Sequence, residues 1–293
     1  MYFPLFTKQH FLKQLTLKRC SLFIALSISP FSIAADYQNF VNMPHGMNDA
    51  LSFDSKGNLY VSHSGNFSST GLKGSSVFKV SPNGEISSIL EGFNGPLGHK
   101  FDSKGNMYIA NYNTGTIDII DTKGKKSVFA DIGNAGFASG IAINSKDEIF
   151  VASYSGNLIY KLDTTGVSEV WLKNRAFNGP VGITIDEKEN LYVGNYNDGR
   201  IFKIEANQKV TELSKSPDAA GYITYISGNI YATGINTNKI YQIPVSGAQA
   251  KELAGSAEAG FNFPNGITTN NDGTKIYVSN YKNNKIVTIE NFN

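Results

Sequence analysis

Three histidines, His45, His63 and His99, fall close together near the start of the chain, and none follows them. Neutral imidazole is the commonest transition-metal ligand, and three of them leave a coordination position open for water or substrate. His45 occupies the middle of a Pro-x-Gly step in "MPHGM" (43–47), and Asn265 occupies the same place in "FPNGI" (263–267). These residue types suit either a metal centre or metal-free proton transfer. His45 is therefore read as metal ligand or general base, and Asn265 as ligand or oxyanion-side donor. His63 joins His45 and Asn265 in the metal set, which would hold Ca, Zn or Mg if a divalent metal is used. His99 joins His45 and Asn265 in the catalytic set. Asp49, four residues after His45, is placed to orient an imidazole or complete the ligands.

A second constellation is aromatic and amide. Asn111-Tyr112, Asn195-Tyr196 and Asn280-Tyr281, with Ser153-Tyr154, recur at matching places along the chain. Asparagine favours turns by bonding to nearby backbone, which accounts for the recurrence without any ligand. The functional reading makes Asn111, Tyr112, Tyr154, Asn195, Tyr196, Asn280 and Tyr281 a substrate-binding ring for a polar organic molecule.

Both constellations sit on a repeat. The clearest copies are "GPLGHKFDSKGNMYIANYNTGTIDII" from Gly95 and "GPVGITIDEKENLYVGNYNDGRIFKI" from Gly179. The marker aromatics Tyr60, Tyr108, Phe150, Tyr192, Tyr231 and Tyr277 are separated by 48, 42, 42, 39 and 46 residues. Within each copy apolar residues alternate at period two between Gly, Asn, Asp and Ser turns, a strand pattern rather than a helical one. Four strands per copy, six times over, predict an all-β fold: a six-bladed β-propeller of four-stranded antiparallel blades. The blades are expected at about 43–94, 95–132, 133–173, 177–213, 219–255 and 261–293. The last copy lacks a fourth strand, which "YQNFVN" (37–42) is expected to supply, closing the ring. Asp54, Asp102 and Asp186 each open a tight turn and are read as turn-forming carboxylates. The marker aromatics and Trp171 are read as packing residues.

Deviations from a repeat are not demanded by the scaffold, so they carry the functional expectation. At the residue before the first-strand glycine the copies show His45, Leu97, Ser139, Val181, Ala220 and Asn265, six side chains expected to converge on the mouth of a central channel. Blade one also has a long Gly/Ser turn, "SHSGNFSSTGLKGSS" (62–76), on the same expected face, a candidate lid.

Residues 1–35 have a different character. Four basic residues without an acid precede "SLFIALSISPFSIAA", the pattern of a secretory signal peptide cleaved near Ala34 or Ala35. That segment holds four of the 26 Lys and Arg, none of the 24 acids and the only cysteine. Residues 36–293 therefore carry a net charge of −2, with no thiol chemistry and no basic face for nucleic acid. The expectation is a periplasmic or secreted protein without a membrane span, whose partner is a small molecule, a protein partner remaining open.

The Pro-x-Gly-Ile, Asp-x-x-Gly-Asn-Leu-Tyr-Val and Gly-x-Ile elements resemble those of NHL-repeat propellers and the related gluconolactonase (senescence-marker protein) and streptogramin-lyase families. The resemblance covers essentially everything after residue 35. It implies a lactonase-like hydrolase or a lyase, with a binding module that recognises a protein or cell-envelope partner as the alternative. Gluconolactonase-like enzymes hold a divalent metal with an acid and Asn or Asp residues at these strand starts, and "FPNGI" resembles one such ligand motif. Peptide-amidating lyases of the propeller group place zinc-binding histidine in a Pro-His step similar to "MPHGM".

Overall fold

Local chemistry explains why each blade folds. In the computed structural model, which describes residues 35–133, 137–253, 256 and 258–292, the turn carboxylates act as expected. Asp102 Oδ1 accepts the backbone N–H groups of Lys104 and Asn106, while its Oδ2 accepts the Asn106 amide and the Tyr108 hydroxyl. Asp54 and Asp186 repeat the arrangement with Tyr60 and Tyr192. Each carboxylate thus closes a turn and also anchors the marker aromatic of the strand that follows.

Six four-stranded antiparallel sheets result, as the repeat predicts. Their innermost strands are Asn48–Phe53, Pro96–Phe101, Ala138–Ile143, Pro180–Ile185, Ala220–Ile226 and Pro264–Thr269. The sixth sheet is completed by Asp36–Asn42, which pairs with Lys285–Glu290 from Asp36 opposite Glu290 to Asn42 opposite Lys285. First and last segments therefore share one hydrogen-bonded ladder, which closes the ring. The expected signal peptide, apart from Ala35, lies outside the described residues. No described helix is long and apolar enough to cross a membrane.

The core lies between blades, where the faces of neighbouring sheets pack. Val41, Tyr277 and Ile286 of blade six meet Leu51, Leu59, Val61 and Phe78 of blade one. Trp171 packs edge-on against Phe150 at 5.0 Å, the structural role expected of it.

Every innermost strand carries a bulge after its first residue. In blade two the register runs Phe101 to Met107, Lys100 to Tyr108 and His99 to Ile109, then jumps to Pro96 opposite Asn111. A bulge re-aims the residues around it, and here it lets inner strands of adjacent blades approach closely. A methyl group on Gly140 would collide with the Val181 carbonyl oxygen, and one on Gly266 with that of Asp49. At Gly98, Gly140, Gly182 and Gly266 this close approach leaves no room for a side chain.

Candidate functional site

Register decides which side chains reach the mouth. In blades two and four, proline stands six residues before the turn aspartate: Pro96 before Asp102 and Pro180 before Asp186. In blade one Pro44 stands ten before Asp54. The innermost strand accordingly starts at Asn48, paired with His63, and the residue equivalent to Leu97 is Asp49, not His45. A similar shift occurs in blade five, where Ala220 pairs with Gly234, so Gly221 holds the lining place expected of Ala220. Tyr222 stands where most other copies have glycine.

A cavity of about 340 Å³ opens at this end of the channel, and its wall includes Asp49, Leu97, Val181, Tyr222 and Asn265. Asp49 is 4% exposed. Its Oδ1 accepts the Asn265 Nδ2–H at 3.0 Å, and its Oδ2 accepts the Ser64 hydroxyl at 2.9 Å. Tyr222 approaches from blade five and favours the carboxylate, although its buried hydroxyl lies outside hydrogen-bond geometry. Burial dominates these contacts and pushes Asp49 up to about 7. Asn265 turns its oxygen toward the bare Cα of Gly221, where that oxygen has no hydrogen-bond partner.

The Asn-Tyr pairs divide. Asn111, Asn195 and Asn280 are buried and committed to the scaffold: Asn111 Oδ1 accepts the Asn94 N–H, Asn195 Nδ2 donates to the Ala176 carbonyl, and Asn280 Oδ1 accepts the Asn262 N–H. Their tyrosines, with Tyr154, line the cavity. Burial, followed by the charge of Asp49, pushes the Tyr196 and Tyr281 phenols up to about 12, so both stay neutral donors.

Two further aromatics stand on strained backbone, Phe263 in the cavity wall and Phe137 against the wall residue Tyr112. Phe137 and Phe263 have φ of 49° and 58°, in the left-handed region that Gly95 and Gly179 occupy in sister copies. Such a conformation costs a bulky residue roughly 1–3 kcal/mol. Phe137 stacks on Tyr112 at 4.6 Å, and Phe263 contacts Tyr281 at 5.6 Å. The long turn of blade one folds over the mouth as a small hairpin, Phe67–Ser68 against Gly71–Leu72. It is tied to blade two by paired bonds between Asn113 and the Leu72 backbone, and to blade six by the Tyr281 hydroxyl on the Gly65 carbonyl. Phe67 at its tip lines the cavity and is 67% exposed.

The histidines are placed elsewhere. His45 is exposed and faces His63 at 5.5 Å between ring centroids, and both border a separate cavity on the flank of blade one. His63 stacks on Phe78, and burial followed by the His45 charge lowers its pKa. His99 is buried between blades one and two, with Nδ1 at 2.5 Å from the Ser52 hydroxyl and Nε2 without a partner. Burial first, then the Lys100 charge, pushes it down to about 3. It is a neutral core histidine, turned away from Leu97 by the bulge that breaks period-two alternation.

The expected metal set is therefore split: Asn265 lies at the mouth, His45 and His63 on the flank. At the mouth the one carboxylate has both oxygens occupied, and Asn265 offers it an N–H rather than an oxygen. No group of three His, Cys, Asp or Glu side chains comes together among the described residues. These donors do not fit a resident divalent cation.

The chain is thus a six-bladed propeller with one acidic, aromatic-walled pocket at the channel mouth. It belongs to the SMP-30/gluconolactonase/LRE-like family, whose profile matches residues 15–174. No curated protein sequence matches it. Among solved structures it is similar to a streptogramin B lyase, with 18% identity over 88% of this chain and 98% of that one and a TM-score of 0.66. Similar too is a catalytically inactive virginiamycin B lyase from Staphylococcus aureus with quinupristin, with 18% identity over 87% and 99% and a TM-score of 0.66. A gluconolactonase from Xanthomonas campestris shares 10% identity over 87% and 89%, with a TM-score of 0.71. These identities speak to the fold.

Proposed function

We propose that the protein binds a small organic molecule with an apolar face and an ester-like polar group at the channel mouth. It acts there as a lactonase-like hydrolase or a lyase, with Asp49 as general base. The observation that carries this reading is a buried carboxylate, raised by burial to a pKa of about 7, in the lining of an aromatic-walled pocket. A base with a pKa near the working pH accepts a proton while remaining ionised often enough to do so. In hydrolysis Asp49 takes the proton of a water whose oxygen attacks the acyl carbon, the acyl–alkoxy bond breaks, and the departing alkoxide receives that proton. In elimination it takes the proton from the carbon adjacent to the one that bears the ester oxygen, a double bond forms between those two carbons, and the carbon–oxygen bond breaks to release the carboxylate. Ser64 and Asn265 fix the carboxylate orientation in both cases, and the tyrosine and phenylalanine walls hold the apolar face and exclude water. Family membership supports this reaction class. Export to the periplasm or the medium, with cleavage near Ala34 or Ala35, is part of the same proposal, and N-terminal sequencing of the protein from its source tests it.

The test is a panel of lactones, esters and cyclic depsipeptides with wild type and Asp49→Asn. Loss of the Asp49 base should lower turnover about 10²- to 10⁴-fold, with binding retained through the aromatic wall. Product mass separates the two chemistries, because hydrolysis adds one water and elimination adds none. Turnover unchanged in Asp49→Asn would overturn the assignment. Binding without turnover by wild type across the panel would instead favour the non-enzymatic binding propeller, with the exposed Phe67 hairpin as its contact surface.

A further inference from the structure

The far end of the channel holds a second cavity of about 310 Å³ with a different chemistry. The fifth residue of each innermost strand lines it: Ser52, Lys100, Ala142, Thr184, Thr224 and Thr268. One blade thus contributes an ammonium and four contribute hydroxyls. Lys100 takes no part in the ion pairs found among the described residues. Nor does any carboxylate act on it, since burial alone perturbs its ammonium. Ser52 is engaged by His99. Thr184 Oγ1 accepts the Tyr225 N–H at 3.3 Å, leaving its own hydrogen to donate. The hydroxyls of Thr224 and Thr268 have no protein partner among the described residues. A half-buried ammonium without a counter-charge is costly, and ring hydroxyls with spare hydrogens are donors to an oxyanion.

We propose that this end of the channel is a binding site for a small oxyanion, a carboxylate or an inorganic phosphate or sulfate, held by Lys100 and the hydroxyls of Thr184, Thr224 and Thr268. The site is independent of the mouth: it uses neither Asp49 nor the aromatic wall.

Thermal unfolding of wild type and Lys100→Met in phosphate, sulfate, acetate and succinate, each against chloride at equal ionic strength, tests it. Wild type should show a rise that grows with the logarithm of anion concentration and reaches roughly 3–6 °C at ten times Kd, and Lys100→Met none. The carboxylate and inorganic arms tell which anion is preferred. Thr224→Val with Thr268→Val keeps the charge and should weaken the response several-fold. Equal responses to chloride, or the same response in Lys100→Met, would overturn the site. If Lys100→Met does not fold, acylation of native protein decides the matter. Phosphate or succinate should protect Lys100, read by peptide mass spectrometry, while exposed Lys188 continues to react; unprotected Lys100 would sink the proposal.

Discussion

Replacing Asp49 by Asn should change stability in a way that depends on pH, and the sign follows from burial. Burial raises the Asp49 carboxyl from its ordinary value of 3.8 to about 7 in the folded protein. Because the folded pKa is the higher one, the stabilisation is complete below about pH 4 and is lost as pH rises through about 7. The loss amounts to about 4 kcal/mol, at about 1.4 kcal/mol per pH unit. His99 works in the opposite sense, with a folded pKa near 3 against 6.5. Its contribution is complete above about pH 6.5 and is lost on acidification, again at about 1.4 kcal/mol per unit. Between about pH 4 and pH 6.5 the two slopes nearly cancel, so this pair leaves the wild type almost flat there. Asp49→Asn keeps the size of the side chain and its bonding to Ser64, removes one slope and exposes the other. Urea unfolding of both proteins from about pH 4.5 to pH 8 measures the difference, in which His63 and other titrating groups drop out. The stability gained by Asp49→Asn should grow with pH and level off above about pH 7. A difference that does not vary with pH would refute the claim that Asp49 is held neutral by burial, and with it the basis for its role as a base.

Other consequences are sharper in direction than in size. If Asp49 is the base, kcat/KM on any substrate found should rise with pH through about 7 and then level off. His45→Ala should leave turnover within about two-fold, since its ring faces His63 on the flank; a hundred-fold loss would return His45 to the mechanism. Gly266→Ala should cost about 1–3 kcal/mol in chemical denaturation, because the new methyl collides with the Asp49 carbonyl. Tyr112→Ala should weaken ligand binding about ten-fold or more, measured by calorimetry, by removing one partner of the Phe137 stack.

The propeller was legible because its determinants are local. Period-two alternation, Asp-x-x-Gly-Asn turns and marker aromatics all act within one blade, and the closing strand followed from counting a missing fourth strand. The site was less legible because its geometry depends on register and on contacts between distant segments. "MPHGM" matches the Pro-x-Gly steps in letters while lying four residues too early, a shift readable from the distance between Pro44 and Asp54. The bulge hid the orientation of His99, since alternation counted from Leu97 fails across it. Tyr222 carried a signal in its own copy, an aromatic where most blades have glycine. The meeting of Asp49 with Asn265, 216 residues apart, had no local signature. It followed only from blade six being the neighbour of blade one.

That neighbourhood ties the chemistry to ring closure. Asp49 is held at the seam between first and last blades: its carbonyl accepts the Ser279 hydroxyl, its carboxylate accepts the Asn265 amide, and Gly266 packs against its backbone. The same seam is laced by Met43 bonded through its N–H and carbonyl to Asn284, by the Met47 N–H on the Tyr281 carbonyl, and by Tyr281 on Gly65 at the base of the hairpin. Loosening the pairing of Asp36–Asn42 with Lys285–Glu290 would therefore shift the wall, the hairpin and the buried acid together. The ring tolerates a destabilising carboxylate because the same two blades are joined away from it: Asp36–Asn42 pairs with Lys285–Glu290 at the outer edge of blade six, and Val41, Tyr277 and Ile286 share an apolar core with blade one. Function at this mouth and closure of the ring are two demands on the junction of blades one and six, the first met between their inner strands and the second at the outer edge of blade six.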